Sequence, residues 1–121
     1  MKKNIFVIGM NDLNKERLGR LRGAEDIEFH GLLDSATVFE TQVFDMPAMV
    51  ARAERTLDDF LEGGGTVDAI IGYADFPVST MIPLLAAKYD TISTSLESLL
   101  KCEHKFWSRS VQREVVPDNI P

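Results

Sequence analysis

Cysteine is almost missing from this chain. Cys102 stands alone, which excludes an internal disulfide and any zinc site built on several thiolates. Histidine is nearly as scarce: His30 and His104 are the only two, and their separation in sequence argues against a metal centre. No apolar run approaches the roughly 20 residues that a bilayer span needs. The nearest thing to a leader, Lys2-Lys3 followed by Ile5 to Met10, is too short for a signal peptide and runs at once into Asp12. Positive charge is also in deficit, with 13 Lys and Arg against 19 Asp and Glu and a formal charge of −6. Phosphate backbones require a concentrated basic surface, so nucleic acid is not an expected partner, and neither is a membrane. Internal repeats and low-complexity segments are missing as well. What remains is a chain expected to be cytoplasmic. Its 121 residues and 45% hydrophobic content suit one domain with a real core.

Read in order, the chain alternates apolar runs with helical patterns. Asn4 to Gly9, Ile27 to Leu33, Val67 to Gly72 and the short Thr91 to Ser93 read as strands. Leu13, Arg17, Leu18 and Leu21 mark a helix closed at Gly23. A second helix starts near Asp45-Met46-Pro47, with Asp45 as cap, and carries Val50, Ala53, Leu57, Phe60 and Leu61 on its apolar face. Gly63-Gly64-Gly65 end that helix. A phosphate loop would need to follow a strand and open a helix, and these glycines do the reverse. Ser79 to Tyr89 is helical in content, with Pro83 awkwardly inside it. Asp34 to Phe44 has no strong pattern and reads as a polar loop. His30 belongs on a strand face or at its edge.

The most organised stretch is Thr94 to Arg113, which reads as one helix. Thr94 and Glu97 have capping-box spacing, and Leu96, Leu99, Leu100, Glu103, Trp107 and Val111 form a mostly apolar stripe. Lys101, His104, Lys105, Arg109 and Arg113 lie on other faces, and on pattern alone this is an amphipathic surface helix. Cys102 sits two positions from His104 and so on a different helical face. It reads as a buried or half-buried small hydrophobe rather than a nucleophile.

A β-α alternation of this kind implies an α/β fold: a Rossmann-like three-layer sandwich on a four-stranded parallel sheet. Ligands on such sheets bind beyond the carboxyl ends of the strands. The candidate loops are therefore Gly9-Met10-Asn11-Asp12, Leu33-Asp34-Ser35 and Gly72-Tyr73-Ala74-Asp75. The first is not a dinucleotide fingerprint, because Gly9 is alone and Asp12 would put negative charge where a pyrophosphate approaches. Asp12, Asp34 and Asp75 are placed to form an acidic cluster, as in a receiver domain. That reading lacks a fifth strand and a lysine after it, and Asp75, like Asp45, also reads as a helix cap.

The wording of Ser95, Glu97, His104, Lys105 and then Val116-Pro117 resembles the segment of ATP-grasp enzymes that joins the N-terminal domain to the ATP-binding domain. Biotin carboxylase and the carboxylate–amine ligases are examples. The likeness is close over Ser95 to Pro117 and loose over the rest. His104 stands where that family more often has Asp. The resemblance implies a pre-ATP-grasp core over 1–93, a connecting helix over 94–113, and the opening of an ATP-binding domain over 114–121, entered as extended chain. By the same resemblance, Lys105 reaches an ATP phosphate with Arg109 one turn on. The loops carrying Gly9, Asn11, Asp12, Gly72, Tyr73 and Asp75 would face the substrate. The whole enzyme would use ATP and Mg²⁺ to activate a carboxylate or bicarbonate as an acyl phosphate and pass it to a nitrogen nucleophile. The chain itself would hold neither cofactor stably, no metal, and no catalytic residue; a homodimer is compatible. The alternative is a stand-alone Rossmann-like binding or regulatory module.

Overall fold

The computed structural model describes residues 1–120. Pro121, the last residue of the segment expected to open a following domain, lies outside the described residues. A parallel sheet forms the centre, from β1 (Lys3–Ile8), β2 (Ile27–Leu32) and β3 (Ala69–Ile71) in the order β2-β1-β3. Val7 is opposite Gly31 on one side and Ile71 on the other. Side chains alternate between sheet faces, so Phe6, Ile8, Leu32 and Ile70 look one way while Ile5, Val7 and Ile71 look the other.

Two helices cover the first face. In α3 (Met46–Glu62), Met49, Ala53 and Leu57 recur every four residues and are buried; in α4 (Val78–Lys88), Val78, Met81 and Leu85 are buried. These residues join Phe6, Ile8, Leu32, Val38 and Ile70 in one cluster, each large side chain contributing about 1.5–3 kcal/mol by leaving water. Asp45 caps α3 by accepting from Ala48 N–H at 3.1 Å, with Pro47 in the first turn. Gly63 ends the helix as expected, and Gly64 follows at φ 88°. The Tyr89 hydroxyl ties α4 to α3, donating to Asp58 Oδ1 at 2.7 Å; burial, then the Asp58 hydrogen bond and charge, push its phenol well above the usual range. At the other edge Asp68 joins β3 to β1, accepting from Lys3 Nζ at 2.9 Å and from Asn4 N–H at 2.9 Å. His30 lies on β2, stacked on Phe6 at 4.9 Å and hydrogen-bonded to Asn4 at 2.9 Å.

Beside Val7 and Ile71 on the second face lies α1 (Asp12–Gly19), which has no buried residue. The helix stops short of Leu21, earlier than its leucine spacing predicts, and Gly23 (φ 87°) turns the chain into β2.

Several expectations need correction. The fourth strand does not form: Thr91 to Ser93 is irregular and Ile92 is 99% exposed. The segment is short and offers a single large apolar side chain, so pairing would bury little, and Thr91 N–H instead closes onto Ala86 O at 3.0 Å. Asp34 to Phe44 is not all loop, since Asp34 accepts from Thr37 N–H at 2.7 Å and starts α2 (Ser35–Phe39). Asp75 does not cap α4 with its side chain; the cap position is Pro77. Residues 94–113 are two helices, α5 (Leu96–Glu103) and α6 (Lys105–Val115), and neither has a buried residue. Ser95, not Thr94, caps α5, accepting from Ser98 N–H at 3.1 Å, while Glu97 pairs with Lys101 at 2.7 Å instead of closing a capping box. Cys102 is exposed and lines a cleft with Asp75 and Phe76, since α5 contributes no buried residue to the core. The chain after α6 is not extended: the helix runs through Val115 and Pro117–Asn119 make a 3₁₀ turn.

Candidate functional site at the carboxyl edge of the sheet

Gly9 ends β1 and is buried, with its N–H donating to Leu32 O at 3.0 Å and to Leu33 O at 3.2 Å. Its φ of 72° is one that L side chains avoid, and a Cβ there would stand 2.5 Å from Val38 Cγ2 and 2.9 Å from Phe39 Cε2. Asn11 caps α1, accepting from Asn14 N–H at 2.8 Å, and Asp12 is exposed in the first turn. On the facing loop, the Tyr73 hydroxyl lies 2.7 Å from Gly9 O and 2.9 Å from Asn14 Oδ1. A phenol has one proton, which goes to the Gly9 carbonyl. Turning the Asn14 amide over then lets its NH₂ donate to the phenol oxygen, satisfying both groups. Gly72 backs directly onto Val78, where a Cβ would collide with Cγ1. Asp75 is exposed, and its carbonyl accepts from Ser79 N–H at 3.2 Å. The structure thus joins Gly9, Asn14 and Tyr73 into one latch, with Asn11 beside it as the cap of α1, and leaves Asp12 and Asp75 exposed.

Aromatic rings finish the edge: Phe39 meets Tyr73 at 5.8 Å and Phe44 meets Phe76 edge-on at 5.6 Å. Phe39, Tyr73 and Phe76 are all substantially exposed. Sequence reasoning misses Phe39, Phe44, Phe76 and Asn14 as members of this edge. Phe39 and Phe44 bracket a stretch without periodicity, and only their recurrence beside candidate loops could have marked them. Asp34 is engaged as the α2 cap, which holds its carboxyl below the usual range, the Thr37 hydrogen bonds outweighing the charge of Arg52 at 3.9 Å. Among the described residues, no group of three His, Cys, Asp or Glu side chains could hold a metal ion. Ser79 and Thr80, in the first turn of α4, have buried hydroxyls without a hydrogen-bond partner.

The C-terminal arm reaches this edge. Cys102 and Glu103 of α5 line a cleft of about 380 Å³ with Asp75 and Phe76. His104 is the last cap of α5 and the first cap of α6. Its extended backbone (φ −74°, ψ 109°) breaks the helix, and its Nδ1 accepts from Trp107 N–H at 3.3 Å. Lys105 therefore opens α6, and both Lys105 and Arg109 are exposed. Their four-residue spacing puts them on one side of α6. Neither makes an ion pair among the described residues, whereas Lys101 pairs with Glu97 and lies 5.8 Å from the Trp107 ring.

No helix among the described residues is long and apolar enough to cross a membrane. The fold and the edge define an α/β chain on a three-stranded parallel sheet, with a helical arm at the strand carboxyl ends. Comparison with protein-family models, with curated proteins and with solved structures returns no match.

Proposed function

We propose that this chain is the N-terminal, pre-ATP-grasp portion of an ATP-dependent ligase or carboxylase. In that reading the carboxyl edge of its sheet forms one wall of the cleft, and Lys105, supported by Arg109, contacts an ATP phosphate. The enzyme would activate a carboxylate or bicarbonate as an acyl phosphate, with Mg²⁺ held by residues elsewhere.

One observation carries the reading beyond the resemblance of Ser95 to Pro117. Lys105 adds a cation to the first turn of α6, the positive end of the helix dipole. A cation is unfavourable there by about 0.3–1 kcal/mol, and a phosphate is favoured. A lysine kept at that end without an acidic partner suits an anion supplied from outside. The cleft shared by Asp75, Phe76, Cys102 and Glu103 sets the start of α6 beside the strand ends where such a substrate would lie. The glycines of this chain, by contrast, are used for packing and turns, so the phosphate cradle would have to come from another domain. Phosphoryl transfer is chiefly positioning and charge neutralisation, and this chain alone is expected to release no phosphate from ATP.

The test uses the gene. Its reading frame beyond Pro121 should encode a Gly-rich loop, a second lysine and paired acidic metal ligands. In that full-length enzyme Lys105→Ala should raise KM for ATP about 10- to 100-fold, the loss of one charge-assisted hydrogen bond. Lys101→Ala, whose ammonium is already engaged, should leave KM nearly unchanged. A stop codon directly after Pro121, or equal KM in Lys105→Ala and wild type, would refute the assignment.

A further inference from the structure

Two neighbouring strands of this sheet send the chain to opposite faces. β1 leads into α1, which lies beside Val7 and Ile71, whereas β3 leads into α4, whose buried residues pack with Phe6, Ile8 and Ile70. In the order β2-β1-β3 these two strands are adjacent, so the loops beyond them diverge and leave a crevice. In open α/β sheets that crevice is where ligands bind. In this chain Tyr73 already spans it.

The Tyr73 hydroxyl, 2.7 Å from Gly9 O and 2.9 Å from Asn14 Oδ1, joins the two loops. Among the described residues no other hydrogen bond links residues 9–14 to residues 72–77. Tyr73 is 51% exposed, so its side chain can turn out to solvent without opening the core. What it leaves behind is a main-chain carbonyl on a buried glycine, which no other donor among the described residues reaches, and the Asn14 carboxamide. The carboxamide can present either its oxygen or its NH₂, but the carbonyl only accepts. A buried carbonyl stripped of its donor is costly, so the group that replaces the phenol must itself donate. Hydroxyl and amino groups do. A carboxylate or a phosphate offers acceptors alone and would set its own negative charge against the carbonyl oxygen.

We propose that Tyr73 is a gate on this crevice, displaced by the hydroxyl or amino group of a small substrate, so that this part of the edge selects a nucleophile and rejects an anion. The inference rests on reading the carboxyl edge as the substrate wall of the cleft. It deepens that reading by placing the nitrogen nucleophile at Gly9 and Asn14, apart from the phosphate assigned to Lys105. While closed, the gate supplies the donor that the Gly9 carbonyl needs. It also lowers the apparent affinity for a substrate in proportion to the small fraction of molecules in which it stands open.

The test is a nuclear magnetic resonance titration of the chain without ATP. Three probes separate the chemistry: ethanolamine carries both kinds of donor, tetramethylammonium has the charge without a donor, and acetate has acceptors only. Ethanolamine should shift the Met10 amide, the Asn14 side-chain amide and the amides of residues 72–75, and the other two probes should leave them in place. Tyr73→Phe keeps the ring and lacks the latch. It should bind ethanolamine about 2- to 12-fold more tightly than wild type, the worth of one hydrogen bond. Tyr73→Ala should bind at least as well, with unchanged far-UV circular dichroism in both variants. A tyrosine that merely held the loops in place would give the opposite sign, with weaker binding once it is lost. Equal or weaker ethanolamine binding in Tyr73→Phe overturns the proposal. So does acetate or tetramethylammonium moving the same resonances, or ethanolamine moving none of them in any variant. The readout involves neither ATP nor Lys105, so an unchanged KM in Lys105→Ala would remove the nucleotide assignment and leave the result at Tyr73 standing.

Discussion

Gly9 can be tested as a packing residue rather than a ligand-binding one, because three glycines of this chain separate the contributions. Gly19, the last residue of α1, has nothing within 4 Å of an added Cβ. Gly64 has φ 88° and also opens onto free space. Gly9 combines φ 72° with a Cβ position 2.5 Å from Val38 Cγ2 and 2.9 Å from Phe39 Cε2. Alanine at Gly19 should therefore stabilise by about 0.5–1 kcal/mol, by reducing chain entropy. At Gly64 it should cost about 1–2 kcal/mol, the left-handed conformation alone. At Gly9 the same conformational cost is joined by roughly 1–3 kcal/mol of overpacking, giving a total of about 2–5 kcal/mol. Val38 is fully buried in the core cluster and has little freedom to yield. Urea unfolding at 25 °C would register the Gly9 loss as a midpoint shift on the order of 1–2 M. If Gly9→Ala costs no more than Gly64→Ala, Val38 and Phe39 accommodate the methyl. Close approach of a ligand then becomes the better reason for glycine at the end of β1.

Other outcomes rest on single contacts. Hydrogen bonds from Lys3 first and then from Asn4 N–H hold the Asp68 carboxyl at about 2, below its ordinary 3.8. Its stabilising effect is therefore complete above the ordinary value and lost as pH falls toward 2, and urea midpoints between pH 4 and 2 should fall less steeply in Asp68→Asn than in wild type. Tyr73→Phe removes the hydroxyl that joins Gly9 to the β3–α4 loop. It should cost about 0.5–1.5 kcal/mol and speed amide exchange at residues 72–75. His104→Asp should stabilise α6 by about 0.5–1 kcal/mol, a stronger cap and a better charge for a helix start. His104→Leu should fray the helix, read by circular dichroism and by Trp107 emission.

The strands that form are those whose apolar runs had a face to fill. Phe6, Ile8 and Ile70 alternate with Val7 and Ile71, and that alternation was readable because it is enforced by burial. Thr91 to Ser93 had β-branched residues but nothing to bury, and propensity alone did not make a strand. The Asp45 cap and the Gly63 stop were legible because both are local chemistry, settled within four residues. The break at His104 was not. Leucine and tryptophan spacing runs smoothly from Leu96 to Val111, and helical periodicity is blind to a single residue that turns extended and caps the next helix. The loops singled out in the sequence follow the ends of β1, β2 and β3. Tyr73 closing onto Gly9 was not foreseeable, since it joins residues 64 apart in sequence through one phenol.

Position 104 also explains how a lysine in the middle of an apparently continuous helix comes to be available at a helix start. Were residues 94–113 one helix, Lys105 would lie in its interior, with its backbone N–H already used and no dipole end nearby. The cap at His104 instead ends α5 beside Asp75 and Phe76 and starts a new helix. Lys105 becomes its first residue, pointing a mobile charge from the positive end of α6. Asp at this position would cap a helix by the same chemistry with a better acceptor. Asp in place of His104 would leave the geometry that presents Lys105 intact and raise only its stability. What the arm needs at this position is a side-chain acceptor for Trp107 N–H and an extended backbone, and His104 supplies both.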